Sequence, residues 1–411
     1  MKKDLVTHVK QKKLFNTVEP IVIALSGGID SMVLFDVLYK INQNIIIAHV
    51  NHNKRPESNL EFNFIKAKAK EMNIKFEGYS VKDTGKSNFH EESRNQRYRF
   101  FKGIALKYQA SKIAVAHHLD DQVETVLMRI VRGTSFAGYS GIKATRSDRN
   151  VSIIRPLMDI TKNDIKTYAK KHKIQYFEDS SNHEDVYTRN RFRNNIIPLL
   201  KEENPNLEQK ILQLSEYIES ADSLIEEHKV LFLKANAMYN HVNVPAFNQL
   251  NNVVKIKVLQ HIINVATHDT VEVSYEQYKK MIKICLNKTP NQTFTLSKEY
   301  EFVKEYDVMY IERVKEIIPL NITVNGLGEY FVDDNKSYLF TMNKIAHNNR
   351  NYFELCYNEL VFPITIRHRK NGDTMKIKVG TKKVKDILID KKIPASRRDR
   401  LTMIADSDNV L

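Results

Sequence analysis

Ile21-Val22-Ile23-Ala24-Leu25-Ser26-Gly27-Gly28-Ile29-Asp30-Ser31 is the stretch whose reading decides the fold. Five apolar residues running straight into Ser-Gly-Gly predict a buried strand rather than a helix. Asp30–Tyr39 carries apolar residues at Met32, Val33, Phe35, Val37 and Leu38 and predicts a helix packed on a sheet. The two glycines permit positive φ and let a ligand approach the backbone. Amide groups and the positive end of the dipole at the helix start favour an anion, and the serine hydroxyls add donors. Asp30 alone would repel phosphate, so in this place it suits Mg²⁺, which cancels the repulsion. Neither GxxxxGK[ST] nor GxGxxG is present, which sets aside the common kinase and GTPase loops. A lone Gly-Gly pair would read as a plain strand–helix turn. The whole hexapeptide Ser26–Ser31 behind a buried strand points to phosphate binding.

The alternation continues outward from this loop. Strands are predicted at Ile45–Val50, Lys75–Val81 and Lys112–Ala116, and helices at Ser58–Met72, Asn88–Tyr108 and Leu119–Val131. Such alternation implies a parallel sheet covered on both faces, a doubly wound α/β fold. From about Asn206 the pattern turns helical, as in Leu207–Val230 and Val253–Ala266. From Ile318 short strand-like segments return: Ile322–Val324, Glu329–Val332, Ser337–Thr341, Pro363–His368 and Thr374–Lys378. The expected organisation is therefore a catalytic domain over 1–205, a helical domain over 206–315 and a small basic α+β domain over 316–411. The chain stops just after Met403–Leu411, so a final strand is expected to be missing.

The chain has 411 residues, with 64 Lys and Arg against 49 Asp and Glu, a formal net charge of +15. That excess favours a polyanionic partner, nucleic acid above all, although a Lys- and Asn-rich proteome would also produce it. Residues 367–400 hold thirteen Lys or Arg and four Asp or Glu. They read as a platform for an RNA backbone, the alternative being a solvated charged face. Cys285 and Cys356 lie far apart and outside any CxxC pair, which argues against a disulfide scaffold, a zinc site or an iron–sulfur site. A reducing cytoplasm fits. The start shows no apolar core of signal-peptide length, and no apolar run is long enough to span a membrane. The sequence is compatible with a homodimer and does not fix the oligomeric state.

Two carboxylates, Asp121 and Glu124, lie three residues apart on a predicted helix and so share a face. The helix begins just beyond a buried strand, where ligands of open parallel sheets bind. A cluster of that kind could hold an ammonium group; the bland alternative is an ordinary solvated face. His117 and His118 beside it titrate near neutral pH and are candidates for proton transfer, adenine contact or structural roles. Asp120 is a candidate for magnesium or for capping the helix. Arg94, Arg97, Arg132, Arg189 and Arg193 could each meet triphosphate or RNA backbone, or form surface ion pairs.

The Ser26–Ser31 hexapeptide resembles the pyrophosphate loop of the N-type ATP pyrophosphatases. These cleave ATP between the α- and β-phosphates and adenylate a carbonyl oxygen. Further segments resemble the tRNA(Ile)-lysidine synthetase family: His49-Val50-Asn51-His52 followed by Arg55; Arg94, Arg97 and Tyr98 in R-x-x-R-Y; and His117-His118-Leu119-Asp120-Asp121-Gln122-Val123-Glu124-Thr125. Arg132-Gly133, Arg155-Pro156-Leu157, Asp179-Ser180-Ser181-Asn182 and Arg189-Asn190-Arg191-Phe192-Arg193 complete the set. The motifs are dense over 21–198 and looser to the C-terminal IRHRKNGD segment. An acidic residue often precedes the first helix arginine by four places in the family; His90 stands there in this chain, so no role is carried over to it.

The resemblance implies an adenine nucleotide alpha hydrolase-like sheet and a reaction joining L-lysine to the wobble cytidine of tRNA(Ile) with a CAU anticodon. ATP adenylates the cytosine carbonyl oxygen, and the lysine amine then displaces AMP. It implies ATP contacts at Ser26, Gly27, Gly28, Ile29, Asp30, Ser31, His49 and His117, and Mg²⁺ at Asp30. Asp121 and Glu124 would bind the lysine, and catalysis would rest on Asp30, Arg94, Arg97, Asp121 and Glu124. A tRNA thiolase of the same superfamily would need cysteines near these motifs. An amidotransferase would need a glutaminase or other ammonia source. A nonenzymatic RNA-binding module would not need the intact loop and acidic cluster.

Overall fold

The computed structural model describes residues 4–51, 57–80, 89–148, 150–177, 188–314, 319–333, 336–342, 362–377, 380–393, 395–406 and 409–411, without the side chains at 57, 89–93, 333, 395 and 396. The chain divides into two compact units, Met1–Ser223 and Leu224–Leu411.

The first unit runs α1 (Leu5–Gln11), β1 (Ile21–Ala24), α2 (Ile29–Ile41), β2 (Ile45–Asn51), α3 (Glu57–Glu71), β3 (Lys75–Ser80), α4 (Phe89–Lys107), β4 (Lys112–Ala114) and α5 (Leu119–Arg132). It continues through β5 (Thr145–Asp148), β6 (Val151–Ile154), α6 (Lys162–Lys171), α7 (Thr188–Arg191), a π-helical turn over Phe192–Ile196, α8 (Ile197–Glu203) and the start of α9 (Leu207–Asn236). Among the described residues the sheet has six strands in the order β3-β2-β1-β4-β6-β5. Every pairing is parallel except β5 with β6. The sheet is thus the expected doubly wound one with an antiparallel edge. Sequence patterning missed that edge because Thr145–Asp148 is polar and largely exposed.

Successive strand residues point to opposite faces. Ile21, Ile23 and Ile47 therefore join Met32, Leu34, Leu38 and Ile165 on one side. Val22, Ile46 and Ile113 join Phe101, Ile104 and Ala105 on the other. Burial of each such isoleucine contributes roughly 1.5–3 kcal/mol. Because β1 pairs with both β2 and β4, the connections leaving β1 and β4 diverge, opening a crevice beyond their C-terminal ends.

In the second unit, α10 (Val244–Asn248), α11 (Asn252–Thr267) and α12 (Tyr275–Leu286) pack around Phe247, Val258, Leu259 and Met281. This middle region is helical as expected and also carries a sheet. Strands β7 (Ala237–Met238), β8 (His241–Asn243), β9 (Asn291–Thr295), β10 (Tyr300–Glu305) and β11 (Val308–Arg313) pair in the order β7-β8-β11-β10-β9. Tyr306, in the β10–β11 turn, takes φ 53°, a left-handed conformation usually given to Gly or Asn, so the hairpin leaves no glycine signal in the sequence.

The C-terminal part contains β12 (Asn321–Val324), β13 (Gly328–Asp333), β14 (Lys336–Phe340), β15 (Ile364–His368), β16 (Thr374–Ile377) and β17 (Gly380–Lys383). These are followed by α13 (Val384–Asp390), α14 (Ala395–Arg398), β18 (Thr402–Asp406) and β19 (Asn409–Val410). Its main sheet is ordered β12-β15-β18-β19-β16-β17 over a core that includes Val324, Ile364, Ile366 and Ile404.

Candidate active site

The glycine-rich loop sits at the C-terminal end of β1. Gly27 has φ 93°, and a Cβ there would stand 3.5 Å from Ile65 Cδ1, so conformation more than space demands glycine. The Phe177 amide donates to the Gly27 carbonyl at 3.0 Å, tying residue 177 to the loop. Ser31, expected among the ATP contacts, has its hydroxyl bonded within the loop. Its buried hydroxyl accepts the Ser26 and Gly27 amides, each at 3.2 Å, and donates to the Gly28 carbonyl at 2.9 Å. It shapes the loop from inside. Ser26 is exposed, and Gly28, Ile29 and Asp30 are half-buried, so the solvent-facing surface of the loop is theirs.

Asp30 accepts from Lys162 Nζ through both carboxylate oxygens, at 2.6 and 2.7 Å. Lys162 is the first residue of α6, whose capping box is closed by Thr161 and Asp164. Its backbone N–H donates to Asp120 Oδ2 at 2.7 Å. Asp120 thus anchors α6, while the expected cap on α5 falls to Asp121, whose Oδ2 accepts the His118 N–H at 3.0 Å. Magnesium usually takes one or two carboxylates and completes its shell with water and substrate phosphates. A half-exposed Asp30 on the phosphate loop fits that demand. No group of three or more His, Cys, Asp or Glu among the described residues forms an all-protein cage.

His118 lies under this carboxylate group, 3.7 Å from Asp30, 3.5 Å from Asp121 and 3.7 Å from Asp120. Burial lowers its pKa, but the surrounding carboxylates outweigh that and raise it overall. For Asp120, burial opposes ionisation; His118, the Lys162 amide and Lys201 more than compensate and bring it down to about 2. Asp121 is likewise lowered against its own burial, by His118 and Arg189.

Asp121 and Glu124 converge as expected, and two arginines hold them. Arg189 donates from Nε to Glu124 at 2.5 Å and from Nη2 to Asp121 at 2.7 Å. Arg193 donates to the two Glu124 oxygens at 2.6 and 3.2 Å. Glu124 is 2% exposed in its side chain and is met by two arginines. The arginines come from α7 and the π-helical turn after it, an irregularity common at functional sites.

His117, expected as an ATP contact, is brought down to about 4 by burial, with the Arg155, Arg189 and Arg94 charges adding to the fall and Asp121 opposing it. It is neutral at pH 7. His49 is buried at the end of β2, and its Nδ1 lies 2.7 Å from the Leu25 carbonyl. Burial lowers its pKa despite that bond. Among the described residues, His49 Nε2 and His117 Nδ1 are buried and have no hydrogen-bond partner. Arg94 stacks on Tyr98, 5.5 Å from the ring centre, and the Arg97 pKa is pulled down by burial, its Nε without a hydrogen-bond partner among the described residues. Neither reaches the Asp121–Glu124 pair through a described hydrogen bond or ion pair. Arg132 lines a cavity of about 180 Å³ with Thr125, Met128, Arg129 and Arg189. His52, Arg55, Asp179–Asn182, Cys356 and the side chains of His90, Glu91 and Glu92 lie outside the described residues.

Two residues escaped sequence reading. Lys162 sits in no motif. Gln122 lies inside one yet faces away from the carboxylates: its amide donates to the Ser140 carbonyl and Ser215 Oγ and accepts the Ile142 N–H at 2.6 Å. The only signal for Gln122 was its place between two residues of the opposite helix face.

In the basic C-terminal part, Arg367 is turned inward in a bidentate pair with Asp373, at 2.8 and 2.9 Å, and cannot contact RNA there. Arg398 donates to the Ile393 carbonyl and to Tyr306 Oη. Arg397 and Arg400 are exposed.

A six-stranded α/β sheet with this loop at its crevice defines a PP-loop protein, and residues 1–200 match the family model described as PP-loop domain. Residues 364–411 match that of the TilS substrate C-terminal domain. The tRNA(Ile)-lysidine synthase of Bacillus cereus is 30% identical over 426 residues, covering 98% of this chain and 89% of that protein. That of Bacillus subtilis is 31% identical over 413 residues, 94% of this chain and 87% of its own. The bifunctional protein TilS/HprT of Listeria innocua is 30% identical over 425 residues; this chain is covered to 98% and spans 66% of that longer relative, just under two thirds. The chain belongs to the tRNA(Ile)-lysidine synthase family.

Proposed function

We propose that this chain is an ATP-dependent ligase that joins L-lysine to the wobble cytidine of tRNA(Ile) with a CAU anticodon. The observation that carries this reading is the pair of the half-buried Asp121 and the buried Glu124 beside the phosphate loop, with arginines at its rim. In the first half-reaction the cytosine carbonyl oxygen attacks the α-phosphorus of ATP, and pyrophosphate leaves. In the second, the side-chain amine of lysine attacks the activated ring carbon and AMP leaves, giving lysidine. Asp30 would hold Mg²⁺, whose charge offsets that of the phosphates. The exposed Ser26 and the Gly28, Ile29 and Asp30 backbone line the phosphates, and His49 and His117 offer nitrogens to the nucleotide.

Asp121 and Glu124 suit an ammonium group of lysine, and Arg189 and Arg193 suit its carboxylate. A neutral His117 accepts a hydrogen bond without adding charge next to an amine that must lose its proton. Arg94 and Arg97 are proposed for charge developing in either step. The division of labour is proposed as 1–205 for catalysis, 206–315 for tRNA recognition and 316–411 for tRNA backbone binding, with the cytoplasm as compartment. Cys285 is buried and pushed up to about 12, which disfavours a thiolase. Nucleoside analysis of a CAU-anticodon tRNA(Ile) transcript incubated with ATP and labelled lysine tests the proposal. Lysidine is expected; no label in the nucleoside fraction and no lysine-dependent AMP would refute it.

A further inference from the structure

The bidentate contact between Lys162 and Asp30 places a cation on both oxygens of the carboxylate that the proposed reaction needs for magnesium. Lys162 does not wander there. Its backbone is pinned by Asp120, and α6 is fixed to α2 through Tyr168 Oη, 2.8 Å from Asp36 Oδ2. Asp30 belongs to the first turn of the same α2. The lysine and the aspartate thus stand on two helices bonded to each other, and a change of partner needs only the lysine side chain to turn. At 33% and 30% exposure both groups border solvent, so the pair is exchangeable rather than sealed.

We infer that Lys162 is a resident counter-ion: it holds Asp30 while the nucleotide site is free, yields it to the metal that arrives with ATP, and then pairs with the departing pyrophosphate. This rests on the reading of Asp30 as the magnesium ligand. Its physical basis is charge balance. An ammonium on Asp30 competes with a free divalent ion, whereas a metal arriving already bound to phosphates brings negative charge that draws the ammonium across. When the bond between the α-phosphorus and the bridging oxygen breaks, negative charge collects on pyrophosphate, and a nearby ammonium stabilises it. Lys162 would thus be a catalytic residue for the leaving group that no motif marks.

The test uses the full chain in wild-type form and as K162M, K162R, D30N and the double variant D30N/K162M, with circular dichroism to confirm folding. Mn²⁺ binding to the nucleotide-free protein is read by electron paramagnetic resonance, and binding of inorganic pyrophosphate with Mg²⁺ by calorimetry. Removing a half-exposed competing charge should tighten Mn²⁺ binding by about fivefold in K162M. D30N/K162M should abolish that gain. Pyrophosphate affinity should fall by about tenfold in K162M, and by much less in K162R, which keeps the charge. An unchanged Mn²⁺ affinity in K162M, a gain that survives D30N, or an unchanged pyrophosphate affinity would each overturn the inference. Should K162M not fold, K162Q replaces it with the same expectations. If D30N leaves Mn²⁺–ATP binding intact, the magnesium reading of Asp30 falls and this inference with it. If D30N abolishes it while K162M behaves as wild type, only the inference falls. Lysine transfer is measured separately and does not enter either readout.

Discussion

Arg189 donates its Nε–H to Glu124 at 2.5 Å, on a carboxylate whose side chain is 2% exposed. A buried carboxylate is costly without such partners, and under the proposed reading the lysine ammonium shares or replaces them. Glu124→Gln keeps the shape and removes the charge. It is expected to raise the lysine concentration needed for half-maximal AMP release by at least about tenfold, about 1.4 kcal/mol, with ATP binding unchanged. Isothermal titration with lysine and with ATP separates the two. Equal lysine affinity in wild type and variant would remove Glu124 from the lysine site.

The pH behaviour of the site follows from three groups moved in different directions. His117, lowered to about 4, stays neutral when folded while the unfolded chain gains a proton. Its contribution to stability is therefore present above pH 6.5 and lost as pH falls from there towards 4. His118 is raised, so its contribution is present below 6.5 and lost as pH rises through its folded value. Asp120, at about 2, contributes above its ordinary value near 3.8 and loses that contribution as pH falls towards 2. His117→Asn should flatten the urea stability profile between pH 6.5 and 4, and Asp120→Asn that between 3.8 and 2. Imidazole resonances of His117 that titrate near 6.5 would contradict the first expectation.

Gly141 has φ 76°, and a Cβ there would lie 2.5 Å from the Gln122 amide oxygen. Gly141→Ala is expected to cost about 1–3 kcal/mol, because both the backbone conformation and the Gln122 bonds are disturbed. Gly27→Ala meets only ordinary contacts at 3.5 Å and suffers from its φ of 93° alone. Its effect should fall on ATP affinity more than on melting temperature. Denaturant unfolding and nucleotide titration on both variants check the contrast.

The exposed Arg397 and Arg400 differ from the inward Arg367 and Arg398. Arg397→Ala and Arg400→Ala should weaken tRNA binding and lower the salt dependence by roughly one counterion each. Arg367→Ala would leave Asp373 buried and unpaired, and should lower stability by about 3–5 kcal/mol. Deletion after residue 316 should weaken tRNA binding and spare ATP binding. Filter binding across a salt series, with melting curves, reads all four.

Much of the catalytic architecture was legible because buried parallel strands leave unbroken apolar runs, as in Ile21–Leu25 and Ile45–Val50. The polar edge strand Thr145–Asp148 left no such run, and the hairpin at Tyr306 left no glycine. Asp121 and Glu124 were readable as a pair from helix periodicity. Their arginine partners were named as motif residues, but the pairing was not, since contacts across more than sixty residues have no local period. Ser31 shows the limit within a motif: the bonds of its hydroxyl to the Ser26 and Gly27 amides and the Gly28 carbonyl have no sequence signal of their own. Lys162 was invisible because an exposed-looking lysine at a helix start resembles any other.

Helix α5 keeps its two tasks on separate faces, Gln122 bracing the 140–142 turn and Ser215 while Asp121 and Glu124 turn to the arginines. Under the proposed lysine-binding role, amine preference is open to redesign at the carboxylates while the brace is left alone. In a library built on this scaffold, variation at 121, 124, 189 and 193 would explore new nucleophiles, whereas variation at 122 would break the bonds to Ser140, Ser215 and Ile142.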